Sequence, residues 1–189
     1  MAAILGIYAS QISGHLYPGP AGAYDALASV TVGSGGASSI EFTGIPSTYR
    51  HLQLRAISNA SSTGQALMSF NGDTSTSSYS FHQIIGADIG SPGADGYATG
   101  TLGGITPSLR FGGTSYFGTS VIDVLDYAST VKNKVTRTLL GYELFGSGQV
   151  QLVSGCWYNA SDSINKITFT IQGGGTFVQN TQVALYGVK

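Results

Sequence analysis

The chain has 189 residues, of which 9% are charged and 42% hydrophobic, and its formal net charge at pH 7 is −1. This balance excludes a disordered chain, which needs low hydrophobicity and high charge, and it offers no basic footprint for nucleic acid. The 28 glycines are roughly twice the average share, and together with many Ser and Thr residues they indicate an all-β protein. Because a surface so poor in charge is poorly soluble alone, we expect much of it to be covered in an assembly.

The length predicts one domain with a sizeable core. No stretch approaches the run of about 18 apolar residues that a membrane helix needs. The N-terminal stretch lacks a basic region and contains Gly6, so we expect neither a signal peptide nor a membrane partner. Cys156 is the only cysteine, which excludes an intrachain disulfide and a cysteine metal site. We expect it to be a small buried hydrophobe.

Residues 1–22 differ from the rest because they are apolar, without a clean period, and carry no charge. Pro18 and Pro20 then disfavour helix and favour extended backbone. The segment is either a tail folded on its own core or an arm that docks on a neighbouring subunit. The Pro/Gly joint favours an extended assembly arm, whose apolar residues are Ile4, Leu5, Ile7, Tyr8, Ile12, Leu16 and Tyr17.

Residues 23–189 show short strand patterns separated by turn signals. Leu52, Leu54 and Ala56 alternate with polar residues, and Ile167, Phe169 and Ile171 do the same near the C-terminus. The patterns predict about nine or ten strands, no helix, and a single jelly-roll-like antiparallel β-sandwich. The predicted strands outside the central hairpin cover residues 26–32, 39–43, 49–57, 67–70, 79–85, 149–153 with its continuation 156–158, 165–171 and 182–188.

Residues 86–116 interrupt this rhythm with many glycines and with Pro92 and Pro107. Long loops are uncommon in compact domains and are usually functional. We therefore predict a Gly-rich loop here that binds sugar or protein. Its candidate binding residues are Tyr97, Arg110, Phe111 and Tyr116.

A β-hairpin is predicted in the middle of this domain. Its strands are 121–127 and 134–144, joined by a polar loop of about four to six residues. The first strand has apolar residues on both parities, which is typical of a central strand covered on both faces.

Two carboxylates of this hairpin, Asp123 and Asp126, are candidates for an acid/base pair. Residues three apart on a strand point to opposite faces, so the two cannot converge on one bond without a bulge. A plainer interpretation is structural, because a single register places Asp123 opposite Arg137 and Asp126 opposite Lys134. Opposite charges facing across strands help to select a register.

No catalytic motif is present. The nucleophile elbow Gly-x-Ser-x-Gly is absent, and the Gly-rich turns lack the Lys of a phosphate-binding loop. His15, His51 and His82 have no ligand partner at helical or strand spacing, and the acidic residues match no calcium loop. We therefore expect no catalytic residue, no metal and no cofactor.

Several segments, in this order, resemble a family of small tailed-bacteriophage virion structural proteins. They are IEFTGIPSTYRHLQLRA (40–56), FNGDTSTSSYSFHQIIG (70–86), SVIDVLDYASTVKNKVTRTL (120–139), SGCW (154–157) and VALYGVK (183–189). Members often begin with a short apolar arm and end in a LYG-I/V-K strand. The resemblance implies a non-enzymatic protein of the virion, assembled in the host cytoplasm. Its implied partners are its own copies, as a homotrimer, and virion proteins such as the major capsid protein.

Three functions stay open at this point. A capsid decoration or cement protein, stabilising the head through subunit contacts, explains the charge-poor surface and the apolar arm. A tail-fibre or receptor-binding module would use the loop to contact host surface glycan. An enzyme, for example a glycan hydrolase, would need convergent carboxylates, and the sequence does not display them. We expect the first.

Overall fold

The computed structural model describes residues 22–62, 64–87, 92–97, 102–112, 115–145 and 147–189. The predicted arm lies outside these residues except for Gly22. The fold is all-β, as predicted: two antiparallel sheets pack as a sandwich, and no α-helix lies in the described part of the chain. Its strands are β1 Tyr24–Thr31, β2 Ser39–Thr43, β3 His51–Ser58, β4 Gly64–Phe70, β5 Tyr79–Ala87, β6 Gly93–Tyr97, β7 Ile105–Phe111, β8 Gly118–Leu125, β9 Lys134–Tyr142, β10 Gln149–Trp157, β11 Lys166–Ile171 and β12 Gln182–Val188, with a 3-10 helix at Thr76–Ser78.

The two sheets differ in width. The large sheet has the strand order β1-β12-β3-β8-β9-β10-β5-β6, and the small sheet has the order β2-β11-β4-β7. The core lies between them and includes Leu54, Ile122 and Phe169. On the small sheet's side, β7 reaches furthest across the large sheet, because it contacts β8, β9 and β10. One face of the large sheet is therefore packed against the core, and we call the opposite surface the outer face.

The alternating patterns of two strands are confirmed, except that Gln53 of β3, predicted to face outward, is buried. In β3 the side chains of Leu52 and Leu54 are buried and that of Arg55 is exposed. In β11, Ile167 and Phe169 are buried while Thr170 is exposed. Period-two alternation therefore identifies the core-facing residues where a strand has one covered face.

The predicted long loop is wrong. Residues 86–116 contain the strands β6 and β7, and β5 extends to Ala87. β7 gave no alternating signal because nearly all of its residues are buried, including Thr106 and Ser108. Gly155 allows β7 to approach β10, since a Cβ atom at this position would lie 2.5 Å from Ile105 Cγ2.

The predicted hairpin register is confirmed. β8 pairs with β9, and Asp123 lies opposite Arg137. The ion pairs found in the described residues do not include these two, and Asp123 Oδ1 instead accepts a hydrogen bond from Gln53 Nε2 at 2.9 Å. The connection spans residues 126–133, so the expected loop of four to six residues is too short.

The predicted Asp126–Lys134 pair is wrong. Asp126 has a φ of 48° and leaves the strand, and its Oδ2 atom accepts a hydrogen bond from Lys132 Nζ at 2.9 Å. Lys134 is buried, and its Nζ atom donates to the carbonyl oxygens of Lys132 at 3.0 Å and Asn159 at 2.9 Å. The physical reason is parity, because Lys134 shares the inward side of β9 with Thr136 and Thr138.

Candidate functional site

Strand β9 has a distribution of polarity that is inverted over most of its length, although Arg137 is exposed and Leu140 is buried as in an ordinary strand. Its buried side chains include Lys134, Thr136 and Thr138, whereas Val135 and Leu139 on the other side are exposed. A strand with one solvated face normally places its apolar residues inward and its polar residues outward. The described residues therefore leave an apolar side of β9 uncovered.

The inversion belongs to a row of apolar side chains across five strands. The residues are cross-strand neighbours, and the four large ones are between 39% and 61% exposed. With strands about 4.8 Å apart, the row is roughly 20 Å long. We call it the apolar row, and it consists of Val121, Leu139, Leu152, Ile84 and Ala94.

Two grooves open on the outer face along this row. The first encloses about 720 Å³ and is lined by Val121 and Leu139, and also by Phe117, Tyr142 and Val150. The second encloses about 620 Å³, and its lining includes Ile84, Leu152, Ala94 and His82. Large apolar residues of the row line both grooves, Val121 and Leu139 the first and Leu152 and Ile84 the second, and exposed apolar patches of this kind mark interaction sites.

A charged network borders the row on the β3 side. The Arg55 guanidinium lies 5.3 Å from the Tyr24 ring and 5.1 Å from the Tyr186 ring, distances at which a cation is attracted to an aromatic face. Its Nε atom donates to Gln53 Oε1 at 2.8 Å, and Gln53 Nε2 donates to Asp123 Oδ1 at 2.9 Å. Arg55 lies directly opposite Val121, so this network ends the apolar row.

The inner side of the same strands carries polar atoms without a partner. The hydroxyl oxygens of Ser120, Thr136 and Thr138 and the amide oxygen of Gln151 are buried, and none of them has a hydrogen-bond partner among the described protein atoms. A buried polar group left unpaired destabilises a fold by about 1–3 kcal/mol. Each of these groups therefore reduces the stability that this region gains from burial.

A buried cluster closes one end of the sandwich. The Lys134 ammonium lies 5.8 Å from the Trp157 ring, and Trp157 Nε1 donates to Asp73 Oδ2 at 2.8 Å. Burial lowers the pKa of Lys134. Burial would raise the pKa of Asp73, but hydrogen bonds from Trp157 and Ser75 lower it overall. Since Lys134 Nζ donates hydrogen bonds to the backbone carbonyls of Lys132 and Asn159, we assign the cluster a structural role.

The predicted binding loop does not form one surface. Phe111 is buried with its ring edge-to-face against Phe177 at 6.2 Å, so its predicted role in binding is wrong. Arg110 Nη1 donates to Gln65 Oε1 at 2.7 Å, and the Tyr116 ring packs on Phe145 at 5.9 Å. Tyr97 ends β6, and the structure describes its backbone but not its side chain. The cause is β7, which carries Arg110 and Phe111 along the small sheet.

The remaining candidate residues have these positions. His51 Nδ1 accepts a hydrogen bond from Asp126 N at 3.0 Å. In the described ranges, no group of three or more His, Cys, Asp or Glu residues could hold a metal ion. Cys156 is half-buried on the outer side of β10, and burial raises the pKa of its thiol. The apolar residues of the predicted arm, from Ile4 to Tyr17, lie outside the described residues.

The apolar row is the feature that the sequence reasoning missed. Its signal was present in Lys134–Leu140, KVTRTLL, where Val135 and Leu139 share one parity and Lys134, Thr136 and Thr138 the other. Reading that parity as outward requires knowing that β7 covers the opposite side.

None of the helices in the part of the chain that is described has the length and apolarity to span a membrane.

Comparison of the chain with protein-family models, with curated proteins and with solved structures finds no match in any of the three. Function is therefore inferred from the outer face, its apolar row and its grooves, together with the resemblance noted in the sequence.

Proposed function

We propose that the protein is a non-enzymatic structural subunit of a tailed-bacteriophage virion, and that the outer face of its large sheet is covered by protein in the assembled particle. The observation that carries this proposal is the inverted polarity of β9, with Thr136 and Thr138 buried and Leu139 exposed. An apolar row on a charge-poor chain is a liability for a free monomer. It becomes an advantage in a subunit that is always in contact with others.

The strength of such a contact suits a repeating assembly. Full burial of one large apolar side chain contributes about 1.5–3 kcal/mol, so covering the half-exposed members of the row contributes roughly 1 kcal/mol each. Association itself costs about 4–15 kcal/mol. One apolar row therefore gives a weak contact between two free proteins, whereas many linked contacts on a particle give firm attachment.

Within the virion, we place the protein on the head as a capsid decoration or cement protein. The low charge, the apolar row and the charge-free N-terminal segment support a subunit whose surface is largely covered. We propose a homotrimer that contacts the major capsid protein. Its framework is a jelly roll formed by β1-β12-β3-β8 and β2-β11-β4-β7, and the strand order of the two sheets supports this reading.

A tail-fibre or receptor-binding module is the second candidate. The first groove favours it, because the polar side chains of Glu143, Gln149 and Gln182 stand beside the aromatic rings of Phe117 and Tyr142. Polar groups beside aromatic rings are the kind of surface that could hold a host glycan. A glycan array probed with the full-length protein tests this candidate, and binding that is lost in Tyr142→Ala would favour it.

The proposed function is tested on purified particles of the bacteriophage that encodes the protein. Immuno-electron microscopy with antibodies against the purified protein should label the head, and quantitative mass spectrometry should find many copies per particle. A copy number equal to a small multiple of the tail symmetry would move the protein to the tail. Absence of the protein from particles would contradict the proposal as a whole.

A further inference from the structure

We infer that residues 1–21 of a neighbouring copy cover the outer face and place their apolar side chains along the apolar row. This inference rests on the proposed function, because it names the contact through which subunits would be linked. Four observations support it: where the described chain begins, how far the preceding residues can reach, what chemistry they carry, and what borders the row.

The described chain begins beside the outer face. Tyr24 opens β1, which is the edge strand of the large sheet. The Tyr24 ring contacts the Arg55 guanidinium at 5.3 Å, and Arg55 lines the first groove. The described chain therefore begins at the border of the apolar surface, and residues 1–21 precede that point in the sequence.

The preceding residues are long enough to reach another copy. A chain of 21 residues spans up to roughly 70 Å when extended. The eight strands of the large sheet are together about 34 Å wide. Even after crossing to an adjacent subunit, the segment therefore retains enough length to lie along a row of roughly 20 Å.

The segment also has matching chemistry. It contains no charged residue, because the first charge in the sequence is Asp25. Its apolar side chains, including Ile4, Ile7 and Ile12, are suited to a surface lined by Leu139 and Leu152. The row contains no charged residue that could pair with a charge on the segment. A segment without charge therefore loses no ion pair when it covers the row.

The borders of the row favour a narrow segment over a second sheet. Arg55 lies directly opposite Val121, and the Asp123–Arg137 pair of positions lies one row away on the same face. Packing two complete outer faces together would also remove these charges from water, which is costly unless every one is paired. An extended segment can cover the apolar row and leave the charges solvated.

We assign the covering segment to a neighbouring copy because, under the proposed function, only a contact between copies links subunits. Pro18 and Pro20 favour an extended joint between the apolar residues and β1. A segment that covered only its own subunit would hide the apolar row and contribute nothing to assembly. The inference therefore excludes self-coverage, and the experiment must separate the two.

Cysteine cross-linking of the full-length chain makes that separation. In a Cys156→Ser background, one chain carries Ile12→Cys and a second, differently tagged chain carries Leu139→Cys. After mixing and mild oxidation, we expect a disulfide-linked pair with one chain of each kind. A chain carrying both substitutions serves as the test for self-coverage.

Three results would overturn the inference. One is a disulfide that forms only within the doubly substituted chain, which would place the segment on its own subunit. Another is a Leu139→Cys homodimer without the mixed product, which would indicate contact between two outer faces. The third is no cross-link of any kind, which would leave the row to another partner.

Charge substitutions give an independent measurement in solution. Leu139→Asp on the face and Ile7→Asp in the segment should each reduce the oligomer to monomers in light scattering. Val131→Asp is the control, since Val131 is 81% exposed and lies away from the row in the 126–133 connection. Circular dichroism confirms that the variants are folded. Unchanged oligomer size in both Leu139→Asp and Ile7→Asp would overturn the inference.

The failure of this inference is distinguishable from the failure of the proposed function. Presence of the protein in particles without the mixed cross-link would overturn the contact and leave the structural role intact. A mixed cross-link in a protein that no particle contains would support the contact and remove the virion role.

Discussion

Strands β3 and β9 lie in the same sheet and distribute their apolar side chains in opposite ways. β3 buries Leu52 and Leu54 against the small sheet and exposes Arg55. β9 buries Thr136 and Thr138 and exposes Leu139. β3 buries most of its apolar side chains within the chain, although Ile57 stays exposed, whereas β9 buries hydroxyl groups and leaves Val135 and Leu139 exposed. The exposed apolar side of β9 is the surface that we propose is covered by protein in an assembly.

The largest expected effect contrasts a core residue with a residue of the apolar row. Phe169→Ala removes a ring that is buried in the core, and we expect the free energy of unfolding to fall by about 3–5 kcal/mol. Leu139→Ala should change it by less than about 0.5 kcal/mol when the protein is monomeric. Urea denaturation at low protein concentration measures both.

The two variants also control for each other, because each removes one large apolar side chain. Equal losses of stability would mean that Leu139 is already covered within its own chain. That outcome would end the contrast between β3 and β9. A loss for Leu139→Ala that grows with protein concentration would instead sharpen the contrast, since it would show that the face is covered in the oligomer.

Sequence patterns predicted the parts of the fold in which one face of a strand is buried and the other is solvated. The alternation of β3 and β11 was predictable for this reason. The register of β8 with β9 was predicted differently, from the opposite charges of Asp123 and Arg137 at facing positions. Strand β7 was not predicted, because most of its residues are buried and glycine-rich segments flank it. Proline and glycine there suggested a loop, and pairing with β4 overrode that preference.

The candidate site was predictable only in part. Apolar residues on both parities of β8 correctly placed this strand in the interior of a sheet, between β3 and β9. The expectation that both faces are covered is not met within the chain, since Val121 is exposed. The apolar row brings together strands that are distant in sequence, such as β5 and β10. No local pattern reports which strands will be neighbours.

A smaller effect tests the inner side of β9. The buried Thr138 hydroxyl has no partner among the described protein atoms. Thr138→Val replaces it with a methyl group of similar shape, so we expect the free energy of unfolding to rise by about 1 kcal/mol. Thr119→Val, at an exposed position of β8, is the matched control and should leave stability unchanged. A loss of stability in Thr138→Val would show that this hydroxyl is hydrogen-bonded after all.

The smallest effect concerns Lys132 and Lys134, which lie two residues apart and differ in burial. Lys134 points inward and is held by carbonyl oxygens, whereas Lys132 remains exposed and pairs with Asp126. The hydrogen bond from Lys132 lowers the pKa of the Asp126 carboxyl below its ordinary value. In the acid range the unfolded chain therefore binds more protons at this residue than the folded chain does.

The sign of the pH dependence follows from that difference. The contribution of Asp126 to stability is fully present above its unfolded pKa of about 3.9, and it is lost as pH falls through the lower, folded pKa. We expect Asp126→Asn to be slightly less stable than the natural chain at neutral pH, with the difference vanishing in acid. Lys132→Met should reproduce this behaviour, and salt at about 1 M should diminish it. Thermal melting across the acid range checks the prediction, and a difference independent of pH would show that Asp126 acts through the turn at its positive φ and not through its charge.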